Sequence, residues 1–174
     1  IIYIHKNLRF IIHGQILDRQ TKRNVTLDRL RDFRKVNTAT LPMENAISMG
    51  DGKRRLYVFT DPQCHFCSQL HEELKQTKDL RVFIFLYPLS AASHQKAKSV
   101  WCSQDRIKAL EETYQGKELG SPDCDTGPID RNIEIGSRLL IESTPTLLFE
   151  NGKMTEGYTS SETLENLLKL NSHF

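Results

Sequence analysis

Apolar positions along the chain change their period several times, and each change marks an element. From Ile1 to about Leu17, the stretch IIYIHKNLRFIIHGQILD holds two β-rich runs around a polar turn at His5 to Asn7, the pattern of a hairpin. In TLDRLRDFRKVN, the residues Leu27, Leu30, Phe33 and Val36 recur at three-residue steps. That spacing predicts an amphipathic helix from about Thr26 to Asn37. Thr38 to Lys53 mixes Thr, Pro, Asn, Gly and Asp with little period and reads as an irregular approach to a second domain.

The second domain opens with RRLYVFTD, a buried strand from about Arg55 to Thr60. Leu70 and Leu74 share a helical face, so Cys67 to about Lys78 reads as a helix. LRVFIFLYP is the most apolar run and a central strand; it stops at Pro88, which cannot continue a ladder. A mostly polar, helix-compatible region covers Ala91 to Tyr114, and a loop rich in Gly, Pro and Asp follows and contains Cys124. IDRNIEIGSRLLI reads as a helix with Ile129, Ile133 and Gly136 on one side. TPTLLFENGKMTEGY reads as strand, Asn-Gly turn, strand. SSETLENLLKLN closes the chain as a helix that Ser160 or Ser161 can cap, with Leu164, Leu167 and Leu168 as its stripe. The first two strands of this domain are joined through a helix, which implies parallel pairing and a right-handed crossover. That order, with two cysteines where the first strand feeds the first helix, resembles the thioredoxin arrangement.

At 174 residues the chain holds one full domain and part of another, and 38% apolar with 26% charged residues fits a globular protein. A net charge of +2 is too small to argue for a nucleic-acid surface. The short basic clusters at Lys53-Arg54-Arg55 and Arg29 to Lys35 read as solvated faces. No window approaches the ~18 consecutive apolar residues of a membrane span. A basic start followed by an apolar core and a small-residue cleavage site is not present either. Because the chain begins Ile-Ile-Tyr, a processed protein or a fragment is expected.

Cys64 and Cys67 are the candidate chemistry, as a redox pair, a metal clip or two thiols that happen to be close. Their spacing alone does not choose. Thiol exchange needs a thiolate, and a free cysteine with a pKa near ~8.5 supplies little of it at neutral pH. A helix N-terminus offers unpaired N–H groups and a positive dipole end, both of which favour the anion. Asp61 and Pro62 punctuate the strand end, so Cys64 falls where the helix begins and reads as the nucleophile. Cys67, one turn in, should be more buried and reads as the resolving thiol. His65 beside it can stabilise a thiolate when protonated, or be an ordinary exposed helix-start histidine. Phe66 can give apolar cover to the mouth of the site, or simply pack. In the metal reading, Cys64, Cys67 and His71 supply three ligands and lack a fourth. Structural zinc usually draws on two paired-ligand knuckles. Neither a metal nor a cofactor is therefore expected. Thr144-Pro145 precedes a strand, as a simple strand start or as a cis bond that exposes the Thr144 backbone to a ligand. With the cysteine pair upstream in this element order, the cis form is expected, facing the pair and offering hydrogen bonds to an extended substrate.

Four stretches carry a more specific resemblance: VFTDPQCHFCSQLHEEL, SVWCSQDRIKAL, CDTGPIDRNIEIGSRLLIESTPTLLFENG and EGYTSSETLENLL. In this order over most of Leu56 to Leu168 they resemble the DsbC family of bacterial disulfide isomerases. The resemblance implies an α/β thioredoxin-like domain with a helical insertion, preceded by part of a β-rich dimerisation domain and a linker helix. The limits it implies are residues 1–24 for the dimerisation part, 25–52 for linker helix and connector, and 53–174 for the catalytic domain. It makes Ile1 an internal position of a longer chain, and Cys64 and Cys67 the active pair. It also implies Thr144-Pro145 as the cis-proline loop and a structural disulfide between Cys102 and Cys124. Closing that loop should stabilise the fold by roughly 3 kcal/mol on the chain-entropy model. A structural disulfide implies an oxidising compartment, here the periplasm, with any signal peptide removed. Two departures stand out. His65-Phe66 replaces the Gly-Tyr of the best-known members, which bears on the redox potential. Val58 stands where thioredoxins proper keep a buried acid, leaving Cys67 without an assigned proton acceptor.

The function implied is a periplasmic isomerase and reductase acting on misfolded, disulfide-containing secreted proteins. Its pair would be kept reduced by a membrane donor of the DsbD type, and two subunits would join through their N-terminal domains. One alternative is a dithiol oxidase that donates its disulfide to new chains. Another is a redox-silent holdase chaperone that binds unfolded chains in an apolar cleft.

Overall fold

The two short isoleucine-rich runs at the start pair as the hairpin pattern requires. Strand β1 (Ile2–Ile4) lies antiparallel to β2 (Ile11–His13), with Ile4 opposite Ile11. The computed structural model describes residues 2–4, 6–7, 9, 11–33 and 36–171. His5 of the expected turn, Arg34 and Lys35 of the expected helix, and the outermost residues 1 and 172–174 of the domain limits lie outside these. Helix α1 (Val25–Phe33) follows the hairpin. Its first turn is held by Asn24 Oδ1, which accepts the Leu27 N–H at 3.0 Å, and Thr26 Oγ1 accepts the Ile16 N–H at 2.8 Å.

The predicted helix end at Asn37 is too late. Val36 gives its N–H to Gly152 O at 3.3 Å, and Asn37 caps a short 3-10 turn at Thr38–Thr40. Residues 36–174 form one compact unit and residues 1–35 another. The larger unit takes in residues 36–52, so the later part of the expected connector packs with it. Within the stretch read as irregular lies a third strand, β3 (Ile47–Met49). Three residues are too few to show a period, and only its partner across the sheet makes it a strand.

Strand β4 (Arg54–Thr60) is the centre of a five-stranded sheet. On one side it runs parallel to β5 (Leu80–Leu86), with Arg54 opposite Leu80 and Thr60 opposite Leu86. On the other it is antiparallel to β6 (Thr146–Phe149), which carries β7 (Met154–Glu156) at the edge. β3 closes the opposite edge against β5, giving the order β3-β5-β4-β6-β7. Both faces of β4 are buried, so it reads as a near-continuous apolar run instead of alternating.

One face of the sheet, from Leu56, Val58, Val82 and Ile84, packs on Leu70 and Leu74 of helix α2 (His65–Gln76). Val100 of α3 (Ala91–Cys102), Leu110 of α4 (Arg106–Tyr114) and Leu164 and Leu168 of α6 (Ser161–Asn171) complete that core. The other face is aromatic: Tyr57, Phe59, Phe85 and Tyr87 gather with Leu41, Ile141 and Leu148. Helix α5 (Gly127–Arg138) approaches this side so closely that a Cβ at Gly136 would run into the Tyr87 ring. The region expected to be helical from Ala91 to Tyr114 is two helices, because Asp105 caps the second by accepting the Lys108 N–H at 3.0 Å. Arg106 then lies 3.7 Å over the Trp101 ring. Cys102 at the end of α3 is bonded to Cys124 in the loop between α4 and α5, with Cα atoms 5.5 Å apart. Among the described residues no helix is long and apolar enough to cross a membrane.

Candidate active site

At the end of β4 the chain must turn from a central strand into α2, and Asp61 fixes that turn. Its buried carboxylate accepts the N–H of Gln63 and of Leu89, each at 2.7 Å, and its carbonyl accepts the Cys64 N–H at 3.0 Å. The loop before the helix is thereby pinned to the loop after β5. Cys64 becomes the N-cap of α2, and the helix begins at His65, not at Cys67 as the leucine spacing placed it. The Cys67 N–H, which also bonds the Cys64 carbonyl at 3.1 Å, points at Cys64 Sγ at 3.3 Å, so the first turn of the helix gives that sulfur a hydrogen-bond donor.

The two thiols are unequal. Cys64 is half-buried and opens onto a groove of about 310 Å³ that Pro62, Ser68, Lys96 and Tyr114 also line. Cys67 is only 2% exposed. Burial, and then the neighbouring Cys64, push the Cys67 thiol up to about 12. The Thr144–Pro145 peptide is cis, and the Thr144 carbonyl lies 3.4 Å from Cys64 Sγ. Pro145 itself is buried, and Thr144 is half-buried. His65 and Phe66 stand on the rim with ring centroids 5.9 Å apart, and Phe66 is 57% exposed. The arrangement can therefore present one accessible sulfur to a disulfide, hold a buried thiol beneath it, and offer a carbonyl to an incoming chain.

His71, the third ligand of the metal reading, is turned elsewhere. Its ring is buried on α2, with Nε2 3.2 Å from Glu111 Oε1 on α4. Lys75 approaches the same carboxylate at 2.9 Å. Burial lowers the His71 pKa below the ordinary histidine value in spite of Glu111. The unfolded chain therefore takes up this proton first as pH falls below about 6.5, and folding loses stability from there downward. Denaturant midpoints measured at pH 7.5 and 5.5 are expected to fall on acidification, and less steeply in His71→Gln. Equal slopes in the two proteins would sink this assignment.

Sequence reasoning missed Asp61 as a clamp and the Thr60–Tyr114 pair, whose hydroxyls lie 2.7 Å apart. Thr60 and Asp61 stood beside the cysteine motif. Tyr114 gave no signal, because a single Tyr at a helix end has no motif.

Residues 41–171 match the family model of the thioredoxin-like domain. The chain belongs to that family. It is 34% identical over 173 residues to a probable thiol:disulfide interchange protein DsbC of Bordetella avium, covering 97% of this chain and 62% of that protein. The DsbC of Escherichia coli K12 is 24% identical over 173 residues, 97% of this chain and 72% of the relative. A solved disulfide interchange protein from Neisseria gonorrhoeae superposes with a TM-score of 0.69 at 30% identity, over 77% of this chain and all (100%) of that one. The chain thus spans about three fifths of the Bordetella relatives it matches, 60% for that of Bordetella pertussis.

Proposed function

We propose that this chain carries a periplasmic thiol–disulfide isomerase and reductase that rearranges non-native disulfides in secreted proteins. The supporting observation is the asymmetry of the pair: Cys64 half-exposed beside the Thr144 carbonyl, Cys67 buried one turn behind it. Cys64 as thiolate attacks a substrate disulfide, forms a mixed disulfide and releases one substrate sulfur as thiolate. That thiolate either attacks elsewhere in the substrate until Cys64 is freed, or Cys67 displaces the substrate and the enzyme ends oxidised. His65 and Phe66 on the rim tune the pair and meet the substrate. Thr144 and Pro145 form the opposite wall, and the Cys102–Cys124 bond has a structural role.

Residues 1–24 then belong to a dimerisation domain, with residues 25–52 as linker helix and connector. Its support is the hairpin, where Ile2, Ile4 and Ile11 are 59%, 57% and 67% exposed, more apolar surface than a hairpin keeps in water alone. Homodimerisation through this part and a membrane reductant of the DsbD type complete the reading. Both keep the pair reduced, as isomerisation requires. The test supplies the reduced protein with a multi-disulfide substrate in scrambled form, and the oxidised protein with the same substrate fully reduced. Native activity is expected to return from the scrambled form well above the uncatalysed rate. Rapid oxidation of the reduced substrate with no effect on the scrambled one would overturn this in favour of a dithiol oxidase.

A further inference from the structure

When Cys67 displaces substrate from Cys64, its sulfur must first give up a proton, and it lies 2% exposed. Val58 on β4, facing the same small void of about 10 Å³ behind Cys67, has no group to receive it. The Asp61 carboxylate is engaged by the Gln63 and Leu89 amides. His71 on α2 faces the void as well, but its Nε2 is given to Glu111, which Lys75 also holds. Two hydroxyl side chains, Thr144 and Thr60, stand beside the Cys67 thiol, and Thr60 leads on to a further hydroxyl. The Thr60 hydroxyl interacts with the Cys67 thiol and is hydrogen-bonded to Tyr114 Oη at 2.7 Å. Tyr114 lines both the void behind Cys67 and the open groove at Cys64, where Lys96 is the neighbouring cation.

Resting on the redox reading of the pair and deepening it, we infer that Thr60 and Tyr114 form a proton exit from Cys67 to water in the groove. As Cys67 Sγ closes on Cys64 Sγ, its proton passes to Thr60 Oγ1, the Thr60 proton to Tyr114 Oη, and the Tyr114 proton to groove water. The electron pair left on Cys67 forms the Cys64–Cys67 bond. The bond from Cys64 to the substrate breaks, its electron pair leaves on the substrate sulfur, and that sulfur takes a proton from solvent. The mixed disulfide is the oxidant, and no other is required. Burial and the neighbouring Cys67 hold the Tyr114 phenol well above its ordinary range, so Tyr114 shuttles as a neutral hydroxyl. Thr60 touches the reacting thiol, and Tyr114 acts through it.

The test follows the full chain reduced and mixed with dithiobis(nitrobenzoate), which releases one coloured thiolate when Cys64 attacks and a second when Cys67 resolves. Tyr114→Phe keeps the ring that packs on His71, with centroids 5.7 Å apart, and removes the hydroxyl. It is expected to slow the second release by about a hundredfold at pH 7 and leave the first release unchanged, the low end of what positioned proton transfer contributes. The second-phase deficit should shrink as pH rises and hydroxide replaces the relay. Thr60→Val should behave alike, and Thr60→Ser should restore the rate. An unchanged second phase, or two phases slowed equally, overturns the relay alone. A wild-type protein that releases no coloured thiolate overturns the redox reading with it. A solvent deuterium effect in the wild type gives a readout free of substitution. It is expected to be larger on the second phase than on the first, and equal effects overturn the relay.

Discussion

Replacing Cys64 with Ala is expected to abolish rearrangement of a scrambled substrate, leaving only the uncatalysed rate. Three observations make this the largest functional effect. Cys64 is the accessible sulfur of the pair, it receives the Cys67 amide, and it faces the Thr144 carbonyl. Cys67 cannot stand in for it. A thiol pushed up to about 12 by burial holds almost no thiolate at neutral pH, and substrate has no path to it. The complementary change, Cys67→Ala, leaves the attacking sulfur in place and removes the group that ends the encounter. Mixed disulfides with substrate should then accumulate, visible as a slower band on non-reducing gels that collapses on reduction. A Cys64→Ala protein that aids recovery of the substrate as well as wild type would remove the redox reading, because recovery would then come from holding the chain, as a redox-silent holdase does.

For stability, the largest loss is expected from Phe59→Ala. Phe59 is 0% exposed on the aromatic face of the central strand. It stacks on Phe85 with centroids 5.1 Å apart and meets Tyr87 edge-on at 6.0 Å. Truncation removes the ring from water-free packing and leaves a cavity that the paired strands on both sides cannot close. Such changes cost about 3–5 kcal/mol, a large share of the roughly 5–15 kcal/mol that holds a domain folded. Urea unfolding by circular dichroism should show the midpoint shift with an unchanged slope. A loss under about 1 kcal/mol would mean that Phe59 is not packed as described. The position matters for the site too, because Thr60 and Asp61 follow directly on the same strand.

Elements whose evidence lies within a few neighbouring residues were legible. The β4 run, the leucine spacing of α2 and α6, and the Asn151-Gly152 turn each carry a local period or turn signal, and each element is present, with α2 starting two residues earlier than its leucines placed it. β3 was not legible, since Ile47–Met49 becomes a strand only by pairing with β5. Nor was the helix end before Val36, because Val36 continues the three-residue spacing but takes its partner from Gly152. Spacing within one segment does not report a hydrogen bond made to another.

The same division runs through the site. From the sequence alone came the junction itself: an apolar strand ending at Asp61-Pro62, a helix face beginning beyond it, and Cys64 at the boundary where unpaired amides stabilise charge. Those features depend on neighbours in the chain. Only the tertiary structure decided what surrounds the two sulfurs. The Thr144 carbonyl reaches Cys64 from 80 residues away, and Tyr114 reaches Thr60 from 54 residues away. The sheet order places β6 beside β4, and the helical insertion lays the end of α4 against Thr60. The physical reason is that a thiol's reactivity is set by burial and by the dipoles around it, and a folded chain draws both from distant segments.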